Sequence, residues 1–239
     1  MTAEAALRTD ALRVGGLVPF TTTDYPGALA AVIFCQGCSW RCGYCHNPHL
    51  VAARGAGELD FAGIVEWLAS RRGLLDAVVF SGGEPTAQAV LKDAIRAVRA
   101  QGFRIGLHTG GAYPRRLAEL LTDVDWVGID IKAPLAEYAI VTRVTSAGGA
   151  AWSSLDCVLA SGVACEVRTT VHPTLTPPSA LKRVAQELAA RGVARWVLQT
   201  FRPTGCVDDD LVAAARGFAI DERLVAYLSR HVPEVVVRA

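Results

Sequence analysis

Residues 38–45 read Cys38-Ser39-Trp40-Arg41-Cys42-Gly43-Tyr44-Cys45. Three cysteines separated by three and then two residues allow one short loop to present three thiolates to a single inorganic cluster. Thiolates are the usual protein ligands of iron–sulfur cubanes. Three donors on a cubane leave one iron open for another molecule, much as a catalytic zinc site keeps an open position.

Working outward, Cys35 stands just upstream, and the seven cysteines of the chain include three scattered ones, Cys157, Cys165 and Cys206. Dense clustering argues for metal or redox chemistry over a disulfide framework. Other readings of the loop stay open. Cys42-Gly43-Tyr44-Cys45-His46 matches the pattern of covalent haem attachment, which normally follows export. Cys42 and Cys45 alone match a thioredoxin-like dithiol but leave Cys38 unexplained. Two Cys-x-x-Cys pairs, Cys35–Cys38 and Cys42–Cys45, match structural zinc, although they stand closer together than in zinc ribbons. A closed four-cysteine electron-transfer cluster is the last, with a spacing that differs from that of ferredoxins. Cys35 ends the apolar run Val32-Ile33-Phe34 and reads most simply as a small buried hydrophobe.

The loop follows the first of six short apolar runs, Leu29–Cys35, Ala77–Ser81, Phe103–Thr109, Trp126–Lys132, Cys165–His172 and Trp196–Phe201. Their Val, Ile and Phe content is that of buried parallel strands. Helical stripes lie between them: Phe61, Ile64, Val65 and Leu68 after a cap at Asp60; Val90, Leu91, Ile95 and Val98; Leu181, Val184, Ala185 and Leu188 after a cap at Ser179, stopped by Gly192. A last helix is predicted near Asp221–His231, Val235–Val237 as a closing strand, and Leu12–Pro19 as a short strand outside the main set. The alternation predicts a parallel α/β barrel or most of one. Two strands carry polar rows. Asp130 and Lys132 share one face, and Glu166, Arg168 and Thr170 share another. In a barrel these rows point inward near the mouth, toward a ligand, or pair with one another as internal salt bridges.

The 239 residues are 51% apolar and 20% charged, enough for a sizeable core. A net charge of +1 gives no footprint for nucleic acid or an anionic membrane surface. No apolar stretch approaches the ~18 residues of a membrane span. Met1–Arg13 lacks the features of an export signal, so a cytoplasmic protein is expected.

Ser81-Gly82-Gly83-Glu84-Pro85 follows the second strand. Two glycines let the backbone pass close to a ligand, and Glu84 can accept hydrogen bonds from an ammonium. Together with the cysteine loop this resembles the radical-SAM superfamily: Cys38, Cys42 and Cys45 match its cysteine motif, Tyr44 its aromatic position, and Gly82, Gly83 and Glu84 its Gly-Gly-Glu motif. Asp24-Tyr25-Pro26-Gly27, Phe34–Cys38 and Tyr44–Pro48 narrow the resemblance to the activating enzymes of glycyl-radical proteins, above all those serving anaerobic ribonucleoside-triphosphate reductase. Similar stretches continue through Gly106–Gly111, Val124–Pro134, Arg168–Pro173 and Val197–Pro203.

The resemblance implies an α/β fold with a partial (β/α)6 TIM-like barrel. It implies one domain over residues 1–239, with a core of roughly 17–203 and a helix-and-strand extension over 204–239. It implies a [4Fe–4S] cluster on Cys38, Cys42 and Cys45, and S-adenosylmethionine held by Tyr44, Gly82, Gly83, Glu84, Thr109, Asp130, Lys132, Arg168 and Arg202. Asp24 would lie near the target peptide. The implied reaction is reductive cleavage of S-adenosylmethionine, with an electron from a flavodoxin or ferredoxin, to place a radical on a glycine of anaerobic ribonucleotide reductase. Two departures stand out. His108-Thr109-Gly110-Gly111 replaces the Asp-Thr-Asn-Gly of many relatives, removing an acidic contact. Tyr25 replaces a common glycine, beside the expected peptide contact.

Overall fold

The computed structural model describes residues 12–238. Most of the Met1–Arg13 stretch lies outside the described residues. Eight strands form one sheet in chain order: β1 (Val14–Thr21), β2 (Ala30–Cys35), β3 (Ala77–Gly82), β4 (Arg104–Thr109), β5 (Trp126–Asp130), β6 (Ala164–Val171), β7 (Arg195–Thr200) and β8 (Glu234–Arg238). β1 runs antiparallel to β2, and every later pair is parallel. Among the described residues β8 does not pair back to β1, so the barrel is open. The six expected strands are β2 to β7. β1 and β8 are the expected outlying and closing strands.

Parallel strands need crossovers, and helices supply them. They are α1 (Phe61–Ala69), α2 (Leu91–Arg99), α3 (Pro114–Leu120), α4 (Tyr138–Thr142), α5 (Ala147–Ser161), α6 (Pro178–Ala189), α7 (Asp209–Ala214) and α8 (Glu222–Leu228). Asp60 caps α1, its carboxylate accepting from the backbone N–H groups of Ala62 and Gly63. The cap expected at Ser179 is not there: α6 starts at Pro178, whose fixed φ and missing N–H suit a first turn, and Ser179 lies inside the helix.

The two sheet faces bury different cores. Ile33, Val78, Phe80, Ile105 and Leu107 pack outward with the helix stripes. Alternate residues of the same strands, Ala30, Val32, Ala77 and Val79, point inward and form a smaller apolar plug with Tyr25 and Trp126. Small side chains here leave the polar rows of β4 to β8 to line the rest of the interior.

Candidate active site

The cysteine loop leaves β2 and is tied on both sides. Gly37 N donates to Leu50 O at 2.8 Å and Cys38 N to Val51 O at 3.0 Å. Arg41 N and Gly43 N donate to Thr142 O and Val141 O at the end of α4, at 3.0 and 3.2 Å. Arg41 folds back so that its guanidinium donates to Cys38 O at 2.8 Å. Gly205, at φ +84°, packs on His46 O, where a Cβ has no room. Three other segments and the loop's own Arg41 thus fix a loop with little regular structure.

Cys38, Cys42 and Cys45 are all free and line one cavity of about 170 Å³ with Trp40, Tyr44 and Glu84. Burial pushes the Cys38 thiol up to about 11 and raises that of Cys42, so neutral pH leaves both protonated until a metal displaces the proton. Cys35 is fully buried in the core and lines neither cavity described here.

The glycine turn faces the cysteine loop. Gly82 has φ +117°, and a Cβ on Gly83 would stand 2.5 Å from Gly37 O. The turn therefore admits glycine alone and lies flush against the loop. Glu84 is almost fully buried. Its Oε1 accepts from Thr86 N at 3.1 Å, Thr86 Oγ1 at 2.5 Å and Thr109 Oγ1 at 2.7 Å, and its Oε2 accepts from Gly110 N at 2.9 Å. Burial raises its pKa against these donors. A buried carboxylate so aimed is suited to a cation arriving in the cavity.

Asp130 and Lys132 also line this cavity. Lys132 Nζ lies 3.1 Å from Asp130 Oδ2, and Arg168 Nε lies 3.2 Å from Asp130 Oδ1. Burial alone would raise the Asp130 pKa, but Lys132 and Arg168 outweigh it and hold the carboxylate low. Gly128 makes room for Arg168, whose guanidinium donates to Gly128 O at 3.2 Å. The expected inward rows are real, and their internal pairing is real as well. Glu166, deeper in β6, is taken by Arg238 through two hydrogen bonds of 3.0 Å.

A second cavity, about 530 Å³, is lined by Asp24, Arg168, Gln199, Thr200, Arg202 and Arg238, among others. It shares His46, Ser81, His108, Asp130 and Thr170 with the first. Asp24 Oδ2 accepts from Thr21 Oγ1 at 2.6 Å. Every residue assigned from the resemblance to the cluster, the cofactor or the peptide therefore lies on one of these two cavities, apart from Gly82, which pairs with Cys35 of β2.

The family model of the radical SAM superfamily matches residues 32–188, from β2 through nearly all of α6. This chain belongs to the radical SAM superfamily. Over 209 residues it is 29% identical to a provisionally named glycyl-radical enzyme activating enzyme of Methanocaldococcus jannaschii, covering 82% of this chain and 83% of the relative. Over 170 residues it is 31% identical to a pyruvate formate-lyase-activating enzyme of Clostridium pasteurianum, covering 69% and 70%. The solved structure of Streptococcus suis SuiB bound to precursor peptide SuiA matches with a TM-score of 0.64 at 12% identity, over 87% of this chain and 48% of SuiB. The chain thus spans about half of that protein, and at this identity the two share a fold. The radical SAM assignment brings a [4Fe–4S] cluster and S-adenosylmethionine as cofactors.

The residues present fit those groups. Among the described residues no three His, Cys, Asp or Glu side chains converge to hold a single metal ion. A cubane does not ask for convergence, because each thiolate takes a different iron. The buried Tyr44 hydroxyl and His46 Nε2 have no protein partner at the cavity wall, and Glu84 presents a buried carboxylate to the same cavity.

The sequence reading missed several wall residues. His46 hydrogen-bonds the backbone of Arg202 and lies tilted against Phe201 with ring centroids 5.6 Å apart. Trp40 stands under Gly110, and Ser81, Gln199 and Arg238 complete the walls. Strand parity could have found Ser81 and Gln199, and nothing local marks Trp40.

Proposed function

We propose that this radical SAM protein activates a glycyl-radical enzyme, and that its partner is an anaerobic ribonucleoside-triphosphate reductase. The activase reading draws on its relatives. The partner draws on the motif resemblance from Asp24 to Pro203. The structural observation that carries the reading is the pair of cavities with a common wall: a thiol-lined chamber for the cofactors opens beside a larger polar chamber of about 530 Å³. A peptide loop carrying a glycine needs such a second chamber.

In this proposal Cys38, Cys42 and Cys45 hold the cluster, and Glu84 accepts the ammonium of S-adenosylmethionine through Oε2, which carries a single donor. Thr109, Thr86 and Gly110 fix that carboxylate so that no reorganisation is needed on binding. Gly82 and Gly83 let the backbone pass close. Tyr44 and Trp40, both nearly fully buried, keep water from the thiols. Asp130, held ionised by its two cations, presents a fixed negative charge between the chambers. Arg168 and Arg202 face the larger chamber and Asp24 stands at its rim. When bound and reduced by one electron, the cluster and S-adenosylmethionine supply a carbon radical able to take a hydrogen atom. The protein contributes position and exclusion of water. A flavodoxin or ferredoxin supplies the electron. The free thiols among the described residues suit a reducing cytoplasm.

The test is anaerobic incubation of the reconstituted protein with S-adenosylmethionine, a reductant and a candidate partner, read by electron paramagnetic resonance. A glycyl radical on the reductase and none on pyruvate formate-lyase supports the proposal. The reverse pattern reassigns the partner, and a radical on neither overturns the activase reading.

A further inference from the structure

The loop that carries Asp24 meets β4 through a contact that the proposed reaction does not use. His108 Nε2 lies 2.8 Å from the backbone carbonyl of Asp24, 84 residues away in sequence. A carbonyl only accepts, so Nε2 carries the proton and donates, and Nδ1 is left facing Ser81 Oγ at 3.5 Å. Burial, reinforced by Arg168, holds the His108 pKa down to about 3, so one neutral tautomer serves this contact throughout the working range.

A second route joins the same two segments through rings. His108 stands edge-on to Trp126 with centroids 5.5 Å apart, and Tyr25, next to Asp24, lies 5.5 Å from Trp126 on another side. Asp24, Tyr25, Trp126 and His108 thus close a circuit. Tyr25 and Trp126 are anchored in the apolar plug. The loop backbone otherwise bonds locally, Thr23 N to Thr21 Oγ1 and Ala28 N to Tyr25 O. Asp24 lines the larger cavity, whereas His108 lines both.

We propose that His108 is a positioning residue for the partner's peptide: it pins the Asp24 loop to β4 at the rim of the larger cavity and so sets where the peptide backbone stops relative to the cofactor chamber. The proposal rests on the activase reading. His108 and Tyr25 thus belong to one circuit through Trp126. The peptide would thereby meet a loop held from the barrel wall by a donor and a ring pair.

The donor can be moved without removing the side chain. H108Q carries an amide N–H out to the position of Nε2, H108N carries one only to the position of Nδ1, and H108L carries none. In the reconstituted protein, hydrogen exchange at residues 22–27 and the apparent KM for the partner are measured for each. So is the ratio of 5′-deoxyadenosine released to glycyl radical formed. H108L and H108N should speed exchange at residues 22–27 and raise the KM about tenfold, the loss of one net hydrogen bond. Their ratio of 5′-deoxyadenosine to radical should rise, while H108Q stays within about threefold of wild type on all three readouts. Should H108L fail to fold, the contrast between H108Q and H108N carries the same test. Unchanged exchange in H108N, or a loosened loop with unchanged KM and ratio, would overturn the proposal. A wild-type protein that releases 5′-deoxyadenosine yet marks no partner would instead overturn the activase reading, and this inference with it.

Discussion

Asp130 and Arg168 are register partners on the adjacent parallel strands β5 and β6, with Asp130 Oδ1 3.2 Å from Arg168 Nε. Lys132 takes the other oxygen, so one carboxylate pairs with two cations inside the barrel. Arg168 is the more committed of the two, since it also bonds Gly128 O; each cation lies 5.9 Å from a ring, Arg168 over Trp126 and Lys132 over Tyr44.

Removing the shared acid should therefore cost more than removing either base. D130N leaves two buried cations without a counter-charge. It should lower folding stability by about 2–3 kcal/mol, less than the ~3–5 of a fully buried pair, because 31% of the Asp130 side chain remains exposed. Denaturant unfolding checks this. R168K is expected to recover little of the R168M loss, because an ammonium cannot reach Asp130 and Gly128 O together.

Gly83 couples the turn to the cluster loop. In G83A the new methyl meets the carbonyls of Gly37 and Leu50, which are backbone and cannot swing aside. Gly37 must move, and Cys38 with it. Iron and sulfide content per chain after anaerobic reconstitution should fall several-fold, against little change for G57A, where a Cβ meets nothing within 4 Å.

Glu84 should act on the cofactor and not on the cluster. E84Q puts an amide among donors that all point at a carboxylate, and removes the charge that attracts an ammonium. Affinity for S-adenosylmethionine should fall about 10–100-fold, the usual range for a charged hydrogen bond, at unchanged iron content. Calorimetric titration of the reconstituted protein measures it.

The sequence showed most of this architecture because the signals were periodic. β2 to β7 are short apolar runs, and α1, α2 and α6 carry clear stripes. α5 escaped notice although it is the longest helix, 15 residues. Its exposed face is Gly149, Ser153, Asp156 and Ala160, too weakly polar to betray a period against the buried Gly148, Ala151 and Trp152. α3 escaped because its signal was a proline after Tyr113, with no side-chain cap. The cysteine and glycine motifs were legible since each needs one residue type at each position. The Asp24–His108 contact was not, because a hydrogen bond to a backbone carbonyl leaves no trace in residue identity on the accepting side.

His108 also makes a prediction for acid. Its folded pKa is about 3, below the ordinary value of 6.5. Between those values the unfolded chain binds more protons, so this contribution to stability is complete above about pH 6.5 and lost as pH falls toward 3. Over that window it amounts to ~1.4 kcal/mol per pH unit. H108Q should flatten the fall in stability between pH 6.5 and 5 relative to wild type. Equal slopes for the two proteins would contradict an imidazole held neutral in the folded state.

The central claim is that three cysteines of one loop hold a cluster that cleaves S-adenosylmethionine, and product analysis addresses it most directly. The protein, reconstituted with iron and sulfide without oxygen and then reduced, is incubated with S-adenosylmethionine and assayed for 5′-deoxyadenosine. Wild type should release it together with methionine, and the triple variant C38A/C42A/C45A should release none. Equal release from both proteins, or none from a wild type that holds its full iron and sulfide, would contradict the account.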